Sequence, residues 1–259
     1  MEIWSDGPEI IIEFLVENRS EKTVDIGRKT FYLNSQEVNS SLNNTGRLGP
    51  GESAPLFFSI RDSELKRNRI HKINDISVAF SIYYPEEERF FITEAVTAKT
   101  ENPVDSPLVP APGKEVYQDE YLKVTAFSEI REFPGAYSCA LYLECPEHQE
   151  SSEHQESLGV VVSCRITAIN EEPVAEGNPP AWNADVTLFP GKSADKTRIV
   201  YEKYANEGWQ LPPELIRSVT WEIHYVPFGR DGDTGTILRQ ELHDLGEFTV
   251  QVTGELNKK

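Results

Sequence analysis

Leu48-Gly49-Pro50-Gly51-Glu52-Ser53-Ala54 and, far downstream, Leu188-Phe189-Pro190-Gly191-Lys192-Ser193-Ala194 decide how this chain is read. Proline presets φ and glycine accepts the left-handed region, so each Pro-Gly pair marks a turn. A polar segment follows each turn. An alternating run follows that: Ile76-x-Val78-x-Phe80-x-Ile82 in the first case, Val219-x-Trp221-x-Ile223-x-Tyr225 in the second. Period-2 alternation is the sign of a half-buried strand. One all-β pattern written twice predicts two copies of one unit.

Working outward, the copies overlay with a slowly growing offset. Ile10, Ile12, Phe14 and Val16 fall on Tyr137, Cys139, Leu141 and Leu143, 127 residues on. Val24, Ile26, Asn34 and Val38 fall on Val160, Val162, Asn170 and Val174, 136 residues on. Gly51 meets Gly191 at 140, and Ile73 and Ile76 meet Ile216 and Val219 at 143. Such growth is expected when surface loops lengthen and strands do not. The largest step follows a tandem duplication, Glu147-His148-Gln149-Glu150-Ser151 repeated as Glu153-His154-Gln155-Glu156-Ser157. We read it as a hairpin loop between strands at 136–145 and 159–170, where an insertion costs little closure entropy.

The remaining strands are expected near 9–17, 22–33, 53–60, 75–84 and 90–99, and near 119–127, 184–189, 195–201, 217–226 and 236–252. Short helices are expected near 63–69 and 202–206. This spacing predicts an all-β chain of two tandem immunoglobulin-like β-sandwich domains. The first covers 1–100. A Pro-rich linker at 101–115 carries Pro103, Pro107, Pro110 and Pro112. The second covers 116–259, with an inserted loop at 146–158. The alternating opening strand of the second copy, 119–127, finds no partner in the first, because the offset places it before Met1. An unpaired sheet edge is a liability. The expectation is that Met1 is a shortened start, and that the parent carries the missing strand and an export signal.

The totals exclude several classes. The 259 residues carry 43 acidic and 25 basic side chains, a net charge of −18. Nucleic acid is not an expected partner, because phosphate binding needs clustered Lys and Arg. Anionic membranes are disfavoured for the same reason, and no apolar run is long enough to insert as a helix. The start, Met1-Glu2-Ile3-Trp4-Ser5-Asp6, lacks the basic and apolar regions of a signal peptide. Three cysteines are not a disulfide framework.

A set of residues carries a resemblance. It comprises Phe14-Leu15-Val16-Glu17-Asn18-x-Ser20, Asn34, Gly49-Pro50-Gly51, Ser63-Glu64-Leu65 and Ile70-x-x-Ile73-x-Asp75-Ile76. It resembles the tandem immunoglobulin-like domains of unknown function in surface lipoproteins of Gram-positive gut Firmicutes. The likeness covers the first copy from about 9 to 100. It is weaker in the second, where Cys145 replaces Asn18. It implies a β-sandwich and a cell-surface or extracellular setting, and supplies no catalytic residues.

Candidate chemistries are few. His148 and His154 lie among Glu147, Glu150, Glu153 and Glu156, competent zinc or nickel ligands, but in a loop made by duplication. Asp231-Gly232-Asp233-Thr234-Gly235 suits a turn better than a calcium loop, having no closing Glu. His71, His224 and His243 have no motif partner for nucleophilic catalysis. In the expected hairpin Cys139 stands opposite Cys164. A cross-strand disulfide and free buried thiols both fit, with free thiols the expectation. Trp221, and also Trp182 and Trp209, align with apolar positions of the first copy and are expected to pack.

The expected function is a non-enzymatic macromolecule-binding or spacer module of the bacterial cell envelope, without cofactor or metal. Its partner would be a protein or a cell-wall glycan. The alternative is a carbohydrate-binding module using Trp182 and Trp4; a hydrolase with an unrecognised site is a third.

Overall fold

A computed structural model describes residues 2–6, 8–43, 46–68, 70–100, 113–133, 136–147, 155–175, 185–202, 211–231 and 237–252. The chain divides into two compact units, 1–108 with 231–237, and 109–230 with 238–259.

The first unit contains β1 (Glu2–Asp6), β2 (Glu9–Glu17), β3 (Val24–Leu33), β4 (Gln36–Glu37), β5 (Ser41–Asn43), β6 (Gly46–Leu48), β7 (Ser53–Arg61), α1 (Asp62–Arg67), β8 (Asp75–Tyr84), β9 (Arg89–Ile92) and β10 (Val96–Lys99). One sheet has the order β1-β2-β7-β5. The other has β10-β8-β3, with β4 and β6 on β3 and β9 on β8. Alternate residues of both sheets enter one core: Ile12, Leu56, Phe58 and Ile60 from the first, Ile26, Phe31, Ile76 and Val78 from the second. Phe58 lies at the centre. Its ring is 4.8 Å from Phe31 and meets Phe14 edge-on at 5.6 Å. Two sheets sharing one dry core are consistent with a β-sandwich.

The second unit contains β11 (Lys114–Gln118), β12 (Lys123–Ala126), β13 (Arg131–Phe133), β14 (Ala136–Cys145), β15 (Gln155–Ile169), β16 (Glu172–Pro173), β17 (Val186–Leu188), β18 (Lys192–Glu202), β19 (Ser218–Asp231), β20 (Ile237–Arg239) and β21 (His243–Gln251). The order β11-β12-β14-β18, with β13 on β14, makes one sheet. The order β16-β15-β19-β20, with β17 on β15 and β21 on β19, makes the other.

The two units share a set of hydrogen bonds at equivalent positions. Asn34 and Asn170 both adopt positive φ, 51° and 50°. Asn34 Oδ1 accepts the amides of Asn74 and Asp75, and its Nδ2 donates to the Lys72 carbonyl. Asn170 Oδ1 accepts the amides of Arg217 and Ser218, and its Nδ2 donates to the Leu215 carbonyl. Every partner is displaced by the same 143 residues. The Pro-Gly turns match likewise. Gly51 (φ 73°) donates its amide to Asn18 O at 2.8 Å, and Gly191 (φ 70°) to Cys145 O at 2.9 Å. Trp4 pairs with Ile11 in β1–β2, and Arg131 with Ser138 in β13–β14, a common offset of 127.

This equivalence makes a prediction. Alanine at Asn34 or Asn170 removes three hydrogen bonds and the side-chain amide that makes positive φ tolerable for asparagine. Each variant should lose about 2–3 kcal/mol. Urea unfolding gives the loss, and amide exchange should place it in the unit that carries the substitution. A neutral Asn170→Ala beside a damaging Asn34→Ala would show that the shared geometry does not carry shared energetics.

Several expectations need correction. β14 and β15 are not a hairpin: they lie in different sheets, as β2 and β3 do. The segment after β14 is therefore a crossover between sheets, and Cys139 pairs with Arg198 of β18 rather than with Cys164. The strand expected at 119–127 is confined to β12, because Asp119 builds a turn; β11 begins at Lys114, inside the stretch read as linker. The run at 90–99 is two strands, β9 and β10, and 236–252 is likewise β20 and β21. The helix near 63–69 is α1; of the one near 202–206, Glu202 ends β18 and the rest lies outside the described residues.

Candidate functional site

Among the described residues, two polar clusters and one strand edge are candidate sites. The first cluster is built on Asp119, which opens the turn between β11 and β12. Its Oδ1 accepts the backbone amides of Tyr121 and Leu122, each at 2.8 Å, the local bonding that makes aspartate a turn residue. Its Oδ2 accepts the hydroxyl of Tyr117 at 2.6 Å and that of Tyr225 from β19. His243 of β21 stacks on the Tyr225 ring, with centroids 4.5 Å apart. Burial alone would raise the Asp119 pKa. The hydroxyls of Tyr117 and Tyr225 and the two amides outweigh it and hold the carboxyl below its ordinary value. Burial, then the bond to Asp119, pushes the Tyr225 hydroxyl up, and Tyr117 moves the same way for the same reasons. A carboxylate accepting four donors is poorly placed to take a proton from a substrate. The cluster instead ties the β11–β12 turn to β19 and β21.

The second cluster lies on the outward side of β19, opposite buried Trp221, Ile223 and Tyr225. Arg165 Nε donates to Glu222 Oε2; the same oxygen lies 3.4 Å from His224 Nε2, and His224 Nδ1 lies 3.3 Å from Asp244 Oδ1. The Arg165 bond, with its charge, holds Glu222 below the ordinary carboxylate range. Cross-strand charges of this kind steady a sheet modestly.

The strand edge belongs to β2. β1 pairs with β2 from Glu9 to Glu13 and no further. Among the described residues, no strand pairs that edge from Phe14 to Glu17. The amide and carbonyl of Asn18 both bond toward the other side, to Glu52 and Gly51. By strand alternation, those of Val16 and Phe14 follow them, and those of Leu15 and Glu17 face the open edge. In the second unit the equivalent residues, Leu141 to Glu144, pair with β12.

The sequence-derived candidates fall as follows. Cys139, Cys145 and Cys164 are free and buried, and burial pushes the thiols of Cys139 and Cys145 up to about 12. Trp221 is core, 1% exposed. His71 is exposed in its turn, while His224 and His243 are half-buried in the contacts above. His148, His154, Trp182, Trp209 and 232–236 lie outside the described residues, as does the side chain of Trp4. Among the described residues no helix is long and apolar enough to cross a membrane. Sequence reading missed the Asp119 cluster. Its sequence signal is an aspartate three residues before a leucine, which opens a turn where alternation alone predicts a strand.

No family model matches this sequence, and no curated protein matches it.

Proposed function

We propose that this chain is a non-enzymatic binding or spacer module of a bacterial cell surface, built from two immunoglobulin-like sandwiches. The observation that carries the reading is strand order. The order β1-β2-β7-β5 beside β10-β8-β3 matches the A-B-E-D and G-F-C order of a constant-type immunoglobulin domain, which supports the reading. The pair β14-β18 and the order β15-β19-β21 parallel its central strands. The resemblance to surface-lipoprotein domains of Gram-positive gut bacteria supports the setting. The net charge of −18 suits a soluble, self-repelling surface protein. The internal use of Asp119, Tyr117 and Tyr225 supports a scaffolding role for the polar cluster over a catalytic one.

The test is a solid-phase screen of the whole chain against insoluble cell-wall material and purified extracellular proteins, run beside a hydrolase panel. Saturable binding without turnover is the expected result. Turnover of any substrate, abolished by one point substitution, would overturn the reading.

A further inference from the structure

We infer that an outward row of the first unit, Arg47, Asp25, Tyr83 and Phe90, is a binding site for an uncharged polysaccharide chain.

The row is built by strand register. Arg47 of β6 pairs with Asp25 of β3, Asp25 with Tyr83 of β8, and Tyr83 with Phe90 of β9. Their neighbours in each strand face the other way. Leu48, Val24, Ile26, Ile82 and Tyr84 pack into the core, and Phe91 meets Tyr84 edge-on at 5.4 Å. Alternation therefore puts the four side chains of the row on the outer face. Four strands give it a length of about 14 Å, room for a short run of sugar rings. Tyr83 is 37% exposed and Phe90 53%. Among the described residues no other ring and no cation lies over either of them. Two residues along the same face, the row gives way to Gly27 and Ser81, which pair with each other. A Cβ on Gly27 would come 2.8 Å from Ser81 Oγ, so the glycine keeps that step low. The face thus offers an aromatic ridge beside a shallow shelf.

The chemistry of the row selects the ligand. A pyranose has an apolar face of C–H groups and a rim of hydroxyls that both donate and accept. An exposed aromatic ring meets the first, and fixed polar groups meet the second. Arg47 Nε and Nη2 donate to the two oxygens of Asp25 at 2.8 and 2.9 Å. This bidentate pair fixes both planes, and it leaves the other guanidinium N–H donors and further carboxylate lone pairs for a ligand. The Tyr83 hydroxyl can both donate and accept beside them. The charges of Asp25 and Arg47 cancel, and the net charge of −18 repels polyanions, so an uncharged glycan fits. A protein partner fits less well. Stable interfaces bury about 800 Å² per side around a core depleted of charge. Here two rings stand among the Asp25–Arg47 pair and the Lys22–Glu87–Arg89 group. The inference deepens the binding-module reading and rests on it.

Affinity electrophoresis of the whole chain tests it, in gels containing hydroxyethylcellulose, xyloglucan, galactomannan or arabinoxylan. Retardation by at least one of the four is expected. Phe90→Ala and Tyr83→Ala should each weaken it about tenfold, and Arg47→Ala about fivefold, with melting temperatures close to wild type. If Arg47→Ala disturbs the β3–β6 pairing, the two aromatic variants still decide. Retardation by none of the four polysaccharides overturns the inference. So does retardation that survives both aromatic substitutions, including the case in which Trp182→Ala removes it, because the contact is then a tryptophan. Capture of a purified protein that Phe90→Ala abolishes, without glycan retardation, also overturns it and makes this face a protein interface. Failure here with envelope binding intact would remove this inference and leave the proposed function standing.

Discussion

Replacing Trp221 by alanine is expected to destabilise the second unit by about 4 kcal/mol, the upper range for emptying a large aromatic site. Trp221 is 1% exposed and shares the inward side of β19 with Val219, Ile223 and Tyr225. Its cross-strand partner is Phe248 of β21. The equivalent position of the first unit holds Val78, 0% exposed, so the two cores solve one position with side chains of very different volume. The second core is shaped around an indole, and close-packed interiors relax only partly when such a group is lost. Trp221→Phe should cost well under half as much. The check is the urea midpoint, with amide exchange locating the lost protection in β15, β19 and β21. A loss below about 1 kcal/mol would mean that the indole fills no tightly packed site.

Asp119→Ala should cost about 3 kcal/mol at neutral pH, since it strips an ionised acceptor from two hydroxyls and two amides. Tyr225 is almost fully buried and would be left with a hydroxyl short of its partner. The pH profile carries a sharper signature. The Asp119 carboxyl titrates lower in the folded chain than its ordinary value. Its contribution is therefore complete above the unfolded-state pKa, about 4, and is lost as pH falls through the folded value. Tyr117 and Tyr225 are shifted the opposite way. Their contribution is complete below about 10 and fades as pH rises toward the folded values. Wild-type stability should thus be flat between these limits and fall on both sides. Asp119→Ala should lower the plateau and flatten the acid limb. An acid limb unchanged in the variant would show that other carboxylates carry it.

What could be read in advance follows from periodicity. Ile10, Ile12, Phe14 and Val16 alternate because one face of β2 is dry, and a dry face shows in any single strand. The turns at Gly51 and Gly191 were visible because a left-handed residue after proline leaves few choices of side chain. The β14–β15 connection was misread because alternation reports which face of a strand is buried and not which strand lies beside it. Two consecutive strands that pair, and two that cross between sheets, carry the same pattern. The Asp119 cluster was hidden for a related reason: Tyr117 and Tyr225 stand 108 residues apart. No local rule links them until the fold has brought β11 beside β19.

By itself the order of amino acids determined that this is a twice-written all-β chain, with its turns at Pro50-Gly51 and Pro190-Gly191 and its inward residues at alternate positions. These are local properties, set by backbone stereochemistry and by which side chains avoid water. Only the tertiary structure decided which strands became neighbours, that Asp119 gathers four donors, and that β12 lies beside β14. Pairing across a sheet or a core depends on contacts between segments far apart in the chain, and their energies exist only once the chain has closed on itself.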